Sequence, residues 1–176
     1  MEIDIPAGIE VTVEKSQFTV KGPKGKVVRK FSRDIEIKKS GDKMEVVTKG
    51  KTADARALSG TFVAHIKNMF NGVQNPYIYK LKVVSVHFPI TVTIQNNELL
   101  VQNFFGEKRP RKVKLPADVS VKIQGEFITV ESVNIEDAGM VATKIEQSTK
   151  ISNRDRRTFL DGIYMVEKAG VPVTAD

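Results

Sequence analysis

The sequence predicts an α+β protein of two tandem duplicated modules, each an antiparallel β-sheet packed against one α-helix. Three observations predict it. Short segments that alternate apolar and polar side chains, the period of a half-buried strand, fill most of the chain. Twice that period gives way to the helical one, over Thr52–Phe70 and Ile135–Thr149. The order of elements also repeats. A displacement of 81 residues lays Val11 on Val92, Val13 on Ile94, Phe18 on Leu99, Val20 on Val101 and Gly25 on Gly106. One of 84 lays Gly41 on Gly125, Met44 on Ile128 and Val46 on Val130. Identity between the halves is low, so the duplication rests on pattern and order.

In chain order, Ile9–Glu14 alternates as a strand, Lys15-Ser16 turns it, and Phe18 and Val20 continue the alternation over Gln17–Lys21. Gly22-Pro23-Lys24-Gly25-Lys26 is a turn signal. Val27–Phe31 and Ile35–Lys38 are further strands, and Ser40-Gly41-Asp42 turns into Lys43–Thr48. Leu58, Phe62, Ile66, Met69 and Phe70 share one helical face, with Gly72 placed to end the helix. Tyr77–Val86 then reads as a long strand closing the first module, which puts the modules at residues 1–82 and 83–168. Asn134 caps the second helix, with Asp137 three residues on as a capping-box variant and Glu136 also complementing the helix dipole. Ala138, Val141, Ala142 and Ile145 form its apolar stripe. Gly162–Val166 reads as a closing strand. Residues 169–176 have no period and a single charged side chain, Asp176, and read as an extended tail.

With 28 Lys+Arg against 21 Asp+Glu, the chain carries a net charge of +7. That surplus favours an anionic partner, nucleic acid before acidic membrane. Residues 1–82 hold 16 basic and 9 acidic side chains, whereas residues 83–176 hold 12 of each. The second half is neutral but segregated, with one basic block at Lys108, Arg109, Arg111, Lys112 and Lys114 and another from Lys150 to Arg157. Screening confines each charge to about 8–10 Å, so such blocks bind phosphate locally whatever the net charge. The absence of cysteine excludes disulfides and thiolate metal sites. No apolar run approaches the roughly 20 residues of a membrane span, and the N-terminus lacks a signal-peptide core, so a soluble cytoplasmic protein without a membrane partner is expected.

His65 and His87 have no carboxylate or second histidine at ligand spacing, so neither a metal nor another cofactor is expected. Nothing resembles a nucleophile elbow. Gly22–Lys26 lacks the phosphate-loop frame because a strand, not a helix, follows it. It reads either as a plain solvated turn or as one that holds Lys24 and Lys26 out to backbone phosphate. Phe104 and Phe105, beside a basic run, have the composition of a base-stacking site, but a Phe pair ahead of a turn is favoured as core.

Three stretches, TVKGPKGKVVRKF (19–31), HFPITVTIQNNELLVQNFFGEKRPRKV (87–113) and TKIEQSTKISNRDRRTFLDGIYMVEK (143–168), occur in order at separated positions. In these the chain resembles the universal large-subunit ribosomal protein six family, in its archaeal and eukaryotic branch, from about Ile5 to Lys168. The resemblance implies a duplicated α+β fold and a non-catalytic, structural role with no small-molecule substrate. It implies binding to large-subunit ribosomal RNA near the stalk base and elongation-factor site, mainly by the second module, among neighbouring ribosomal proteins. On matching positions it implicates Lys150, Asn153, Arg154, Arg156 and Arg157, and also Lys108, Arg109 and Arg111; Lys112, in the same basic block, joins them as an RNA-binding candidate. Many members have a basic Gly-x-Asp-Lys-Gln-like turn before the second helix; this chain has Asn134-Ile135-Glu136-Asp137-Ala138 instead, which removes that contact. Two other classes stay open on the residues alone. One is a small hydrolase using Glu136 and Asp137, acids the helix N-terminus already explains. The other is a protein-interaction adaptor built from two sheet modules.

Overall fold

The computed structural model describes residues 2–14, 17–31, 35–40, 43–48, 50, 52–152, 155 and 157–173. The turns expected at Lys15-Ser16 and Gly41-Asp42, and residues 174–176 of the expected tail, lie outside the described residues. The chain divides into two compact units, residues 1–76 and 77–176.

In the first unit the elements run β1 (Glu2–Asp4), β2 (Glu10–Glu14), β3 (Gln17–Gly22), β4 (Gly25–Lys30), β5 (Ile35–Ser40), β6 (Lys43–Thr48) and α1 (Ala53–Gln74). Alternation puts Phe18, Val20, Met44 and Val46 inside, and antiparallel pairing makes two sheets, ordered β2-β3-β4 and β1-β6-β5. Helix α1 packs on β3, β4 and β6, burying Ile66, Met69, Phe70 and Val73. Leu58, expected on that face, is 40% exposed. Thr52 begins the helix, its Oγ1 accepting from Ala55 N at 3.3 Å. Gly72 does not end it: the helix runs two residues further and stops ahead of Pro76, whose ring clashes with a continuing helix.

The second unit runs β7 (Tyr77–Val84), β8 (Thr91–Gln95), β9 (Glu98–Gln102), a 3-10 turn (Phe104–Gly106), β10 (Arg111–Lys114), β11 (Ser120–Gln124), β12 (Phe127–Ser132), α2 (Ile135–Ser148), β13 (Gly162–Lys168) and β14 (Val171–Pro172). Its sheets are ordered β8-β9-β10 and β11-β12-β7-β13-β14. Asn134 caps α2 as the spacing requires: Oδ1 accepts from Glu136 N at 3.1 Å, and Nδ2 donates to Asp137 Oδ2 at 2.7 Å. The stripe Ala138, Val141, Ala142 and Ile145 is buried among Leu81, Leu99, Val101, Ile128, Val130 and Ile163. Each buried Val, Leu or Ile among them contributes about 1.5–3 kcal/mol.

The duplication is visible in the register. Val11 faces Val20 and Val13 faces Phe18 in the first unit; Val92 faces Val101 and Ile94 faces Leu99 in the second. Ile3 of β1 faces Met44, as Leu81 of β7 faces Ile128. The structure therefore corrects the expected boundary. Tyr77–Val84 does not close the first unit; it is the counterpart of β1 and opens the second, hydrogen-bonded between β12 and β13. The expected tail is corrected as well, since Val171-Pro172 pairs with Glu167-Lys168. Among the described residues, no helix is long and apolar enough to cross a membrane.

Candidate nucleic-acid interface

Three connections of the second unit, residues 85–90, 103–110 and 149–161, are joined by side chains that the sequence scatters over some 75 positions. The first join is Asp161, whose side chain is fully buried. One carboxylate oxygen accepts from Val86 N at 2.6 Å, both accept from His87 N at 3.0 Å, and Phe88 N reaches Oδ2 at 2.9 Å. His87 Nδ1 lies 3.3 Å from Oδ1. Burial alone raises a carboxyl pKa, but here the amide and imidazole donors prevail and hold Asp161 below the ordinary aspartate value.

The second join is aromatic. His87 stacks on Phe159 with centroids 5.0 Å apart, Phe159 meets Phe105 edge to face at 5.0 Å, and Phe105 lies 6.2 Å from Phe88. The Phe pair therefore splits. Phe104 is core, 1% exposed, whereas Phe105 is 36% exposed with φ of +58°. A left-handed backbone costs a bulky residue about 1–2 kcal/mol. Asn103 and Gly106 flank it with φ of +56° and +72°, and Asn103 Nδ2 donates to Pro89 O at 3.1 Å.

The third join is Arg111. Its Nε and Nη2 donate to Glu107 Oε2 and Oε1 at 2.9 and 2.6 Å, and Nη1 donates to Ser148 O at 2.7 Å and Lys150 O at 3.4 Å. The guanidinium also lies 4.5 Å from the centre of the Phe104 ring. That pairing holds the Glu107 carboxyl below its ordinary range. A cation at a helix C-terminus complements the dipole, so Arg111 caps α2 from β10.

The remaining basic residues divide by position. Lys108, Arg109, Lys150 and Arg157 are exposed; the Arg157 amide donates to Asp155 Oδ1 at 2.9 Å. Arg111's bonds to residues 148 and 150, with the Phe105–Phe159 contact, tie the connection carrying Lys108 and Arg109 to the one carrying Lys150 and Arg157. Lys112 is exposed, with Nζ 3.8 Å from Glu98 Oε2. Asn153, Arg154 and Arg156 lie outside the described residues. Lys24 and Lys26 belong to the first unit and are exposed. The backbone of that turn is held by the fold: Lys24 N donates to Val73 O at 3.1 Å. A Cβ on Gly22 would meet Val73 Cβ at 2.8 Å, so the glycine is there for the close approach of α1.

Spacing did not identify His87, Phe88, Phe159 or Asp161. The available signal was Asp161 itself, an acid between Leu160 and the apolar start of β13. His65 lies with Nε2 3.1 Å from Arg29 Nη2. Among the described residues, no three His, Asp or Glu side chains are placed to hold a metal ion.

A profile of the family described as "Ribosomal protein L6" matches residues 5–75 and 88–162, one stretch in each unit. The chain is 44% identical over 169 residues to the large ribosomal subunit protein uL6 of Sulfurisphaera tokodaii, covering 95% of this chain and 91% of that protein. It is 40% identical over 168 residues to the uL6 protein of Methanosarcina mazei, covering 95% and 96%. With uL6 of Natronomonas pharaonis the identity is 38% over 167 residues, covering 94% of both chains. Matches that span both units and nearly the whole length on each side leave one conclusion: the chain belongs to the ribosomal protein L6 family.

Proposed function

We propose that the chain is a structural constituent of the large ribosomal subunit in the cytoplasm and binds large-subunit ribosomal RNA without catalysing a reaction. The observation that carries this reading is the joining of two exposed basic connections on one compact unit, in a chain of this family. Lys108, Arg109, Lys150 and Arg157 are the phosphate-contacting residues, and Lys112 borders them. Asn153, Arg154 and Arg156 share the role by their place between Lys150 and Arg157 in the sequence. Arg111 is a positioning residue, because its nitrogens are already engaged by Glu107 and the end of α2. Lys24 and Lys26 supply a separate backbone contact through their side chains. A location near the stalk base and elongation-factor site, beside other ribosomal proteins, follows from the family resemblance.

RNA backbone contacts release counterions, so affinity falls steeply with salt. The test is the affinity of the purified chain for large-subunit ribosomal RNA against an unrelated RNA duplex, across a salt series. A steep slope with preference for the ribosomal RNA is expected. No preference removes the ribosomal RNA site, and weak, salt-insensitive binding replaces it with a protein-only adaptor.

A further inference from the structure

We infer that His87, Phe88, Phe105 and Phe159 form a stacking platform for an unpaired RNA base, beside the cations that hold its flanking phosphates. This deepens the proposed function and rests on it for the identity of the RNA. Four rings from three connections meet at centroid separations of 5.0–6.2 Å. The cluster is not core: Phe88 is 38% and Phe105 36% exposed, and His87 is exposed. Lys108, Arg109 and Arg157 lie two to four residues along the chain from Phe105 or Phe159, on the same connections. Of the nearby acids, Glu107 is paired with Arg111 and Asp161 with the amides of residues 86–88, and exposed Asp155 accepts from the Arg157 amide. An anionic partner with flat apolar faces fits this combination, which is how single-stranded nucleic acid is held. The backbone agrees. At a φ of +58° stability alone favours Asn or Gly over Phe, so what Phe105 adds is its ring. The motif noted in the sequence, aromatics beside a basic run, thus acts through Phe105 while Phe104 anchors it.

The test titrates the full chain with single-stranded oligoadenylate and with an abasic ribose-phosphate oligomer of the same length. Wild type is expected to bind oligoadenylate about 5- to 150-fold more tightly, the range of one stacked base. Phe105→Asn, which suits the left-handed backbone, and Phe88→Leu, which keeps apolar volume, are expected to lose that discrimination while the salt slope stays unchanged. If Phe88→Leu fails to fold, Phe105→Asn decides alone. Equal binding of the two oligomers by wild type, or discrimination retained in a folded Phe105→Asn, overturns the platform; a surface that ignores bases belongs to a protein neighbour. Loss of preference for ribosomal RNA with base discrimination intact removes the ribosomal assignment and leaves the platform standing.

Discussion

Arg111 grips Glu107 with two parallel hydrogen bonds, of 2.6 and 2.9 Å, while a third nitrogen of the same guanidinium donates to the Ser148 carbonyl at 2.7 Å. Charge-assisted bonds of this geometry are the strong ones. Arg111→Ala is expected to lower stability by about 2 kcal/mol. Arg111→Lys recovers the charge without the planar fork and restores only part of that. Urea unfolding measures both. The salt slope of RNA binding should be unchanged in a folded Arg111→Met, which removes the charge; a shallower slope would mean that Arg111 contacts phosphate after all.

Asp161→Asn places an amide nitrogen among the three backbone donors and is expected to cost about 2–3 kcal/mol at neutral pH. The folded pKa lies below the ordinary value of 3.8. The contribution is therefore complete above 3.8 and is lost as pH falls from there through the folded pKa. Unfolding curves of wild type and Asp161→Asn should converge in acid. A constant gap down to the lowest pH at which wild type folds would show that the charge is not the cause.

Gly22→Ala puts a methyl group 2.8 Å from both Val73 Cβ and Cγ2. Overpacking of this kind costs about 1–3 kcal/mol. Val73→Ala removes one of the two clashing atoms, so the double variant should be less destabilised than the two single effects added together. Strict additivity in chemical denaturation would show that the turn and α1 do not press on each other.

Replacing Lys108, Arg109 and Arg157 together with alanine should leave thermal unfolding within about 1 kcal/mol of wild type, because exposed charges stabilise little. Affinity for large-subunit ribosomal RNA should fall at every salt concentration. The slope should flatten by about 0.7–0.9 for each phosphate that these side chains no longer neutralise. An unchanged slope would sink the assignment of these three side chains.

Much of the fold was legible because period and punctuation are local. The cap at Asn134, the stripe from Ala138 to Ile145 and the paired halves, with Phe18 matching Leu99 and Met44 matching Ile128, all stand in the structure. Tyr77–Val84 was misplaced because alternation states that a strand exists and not which sheet takes it. Lys108, Arg109 and Arg111 look alike in sequence. Only folding shows that Arg111 is spent on Glu107 and the end of α2, while the other two are exposed. Phe104 and Phe105 are adjacent and identical, and a left-handed backbone sends one to the core and its neighbour to the surface. Asp161 and Val86 are 75 positions apart, beyond any local pattern.

The place of β7 bears on how the chain assembles as it is made. Every strand of the first unit and α1 have emerged by Gln74, so all the partners that unit needs, including β6 for β1, precede β7. β7 emerges next, yet its partners β12 and β13 begin at Phe127 and Gly162. Through that interval both its edges lie bare, and unpaired strand edges are what nascent chains aggregate through. A chain cut short before Asp161 keeps one such edge permanently and loses the carboxylate that fastens residues 86–88. The second unit is thus begun by its central strand and finished only once β13 has followed it.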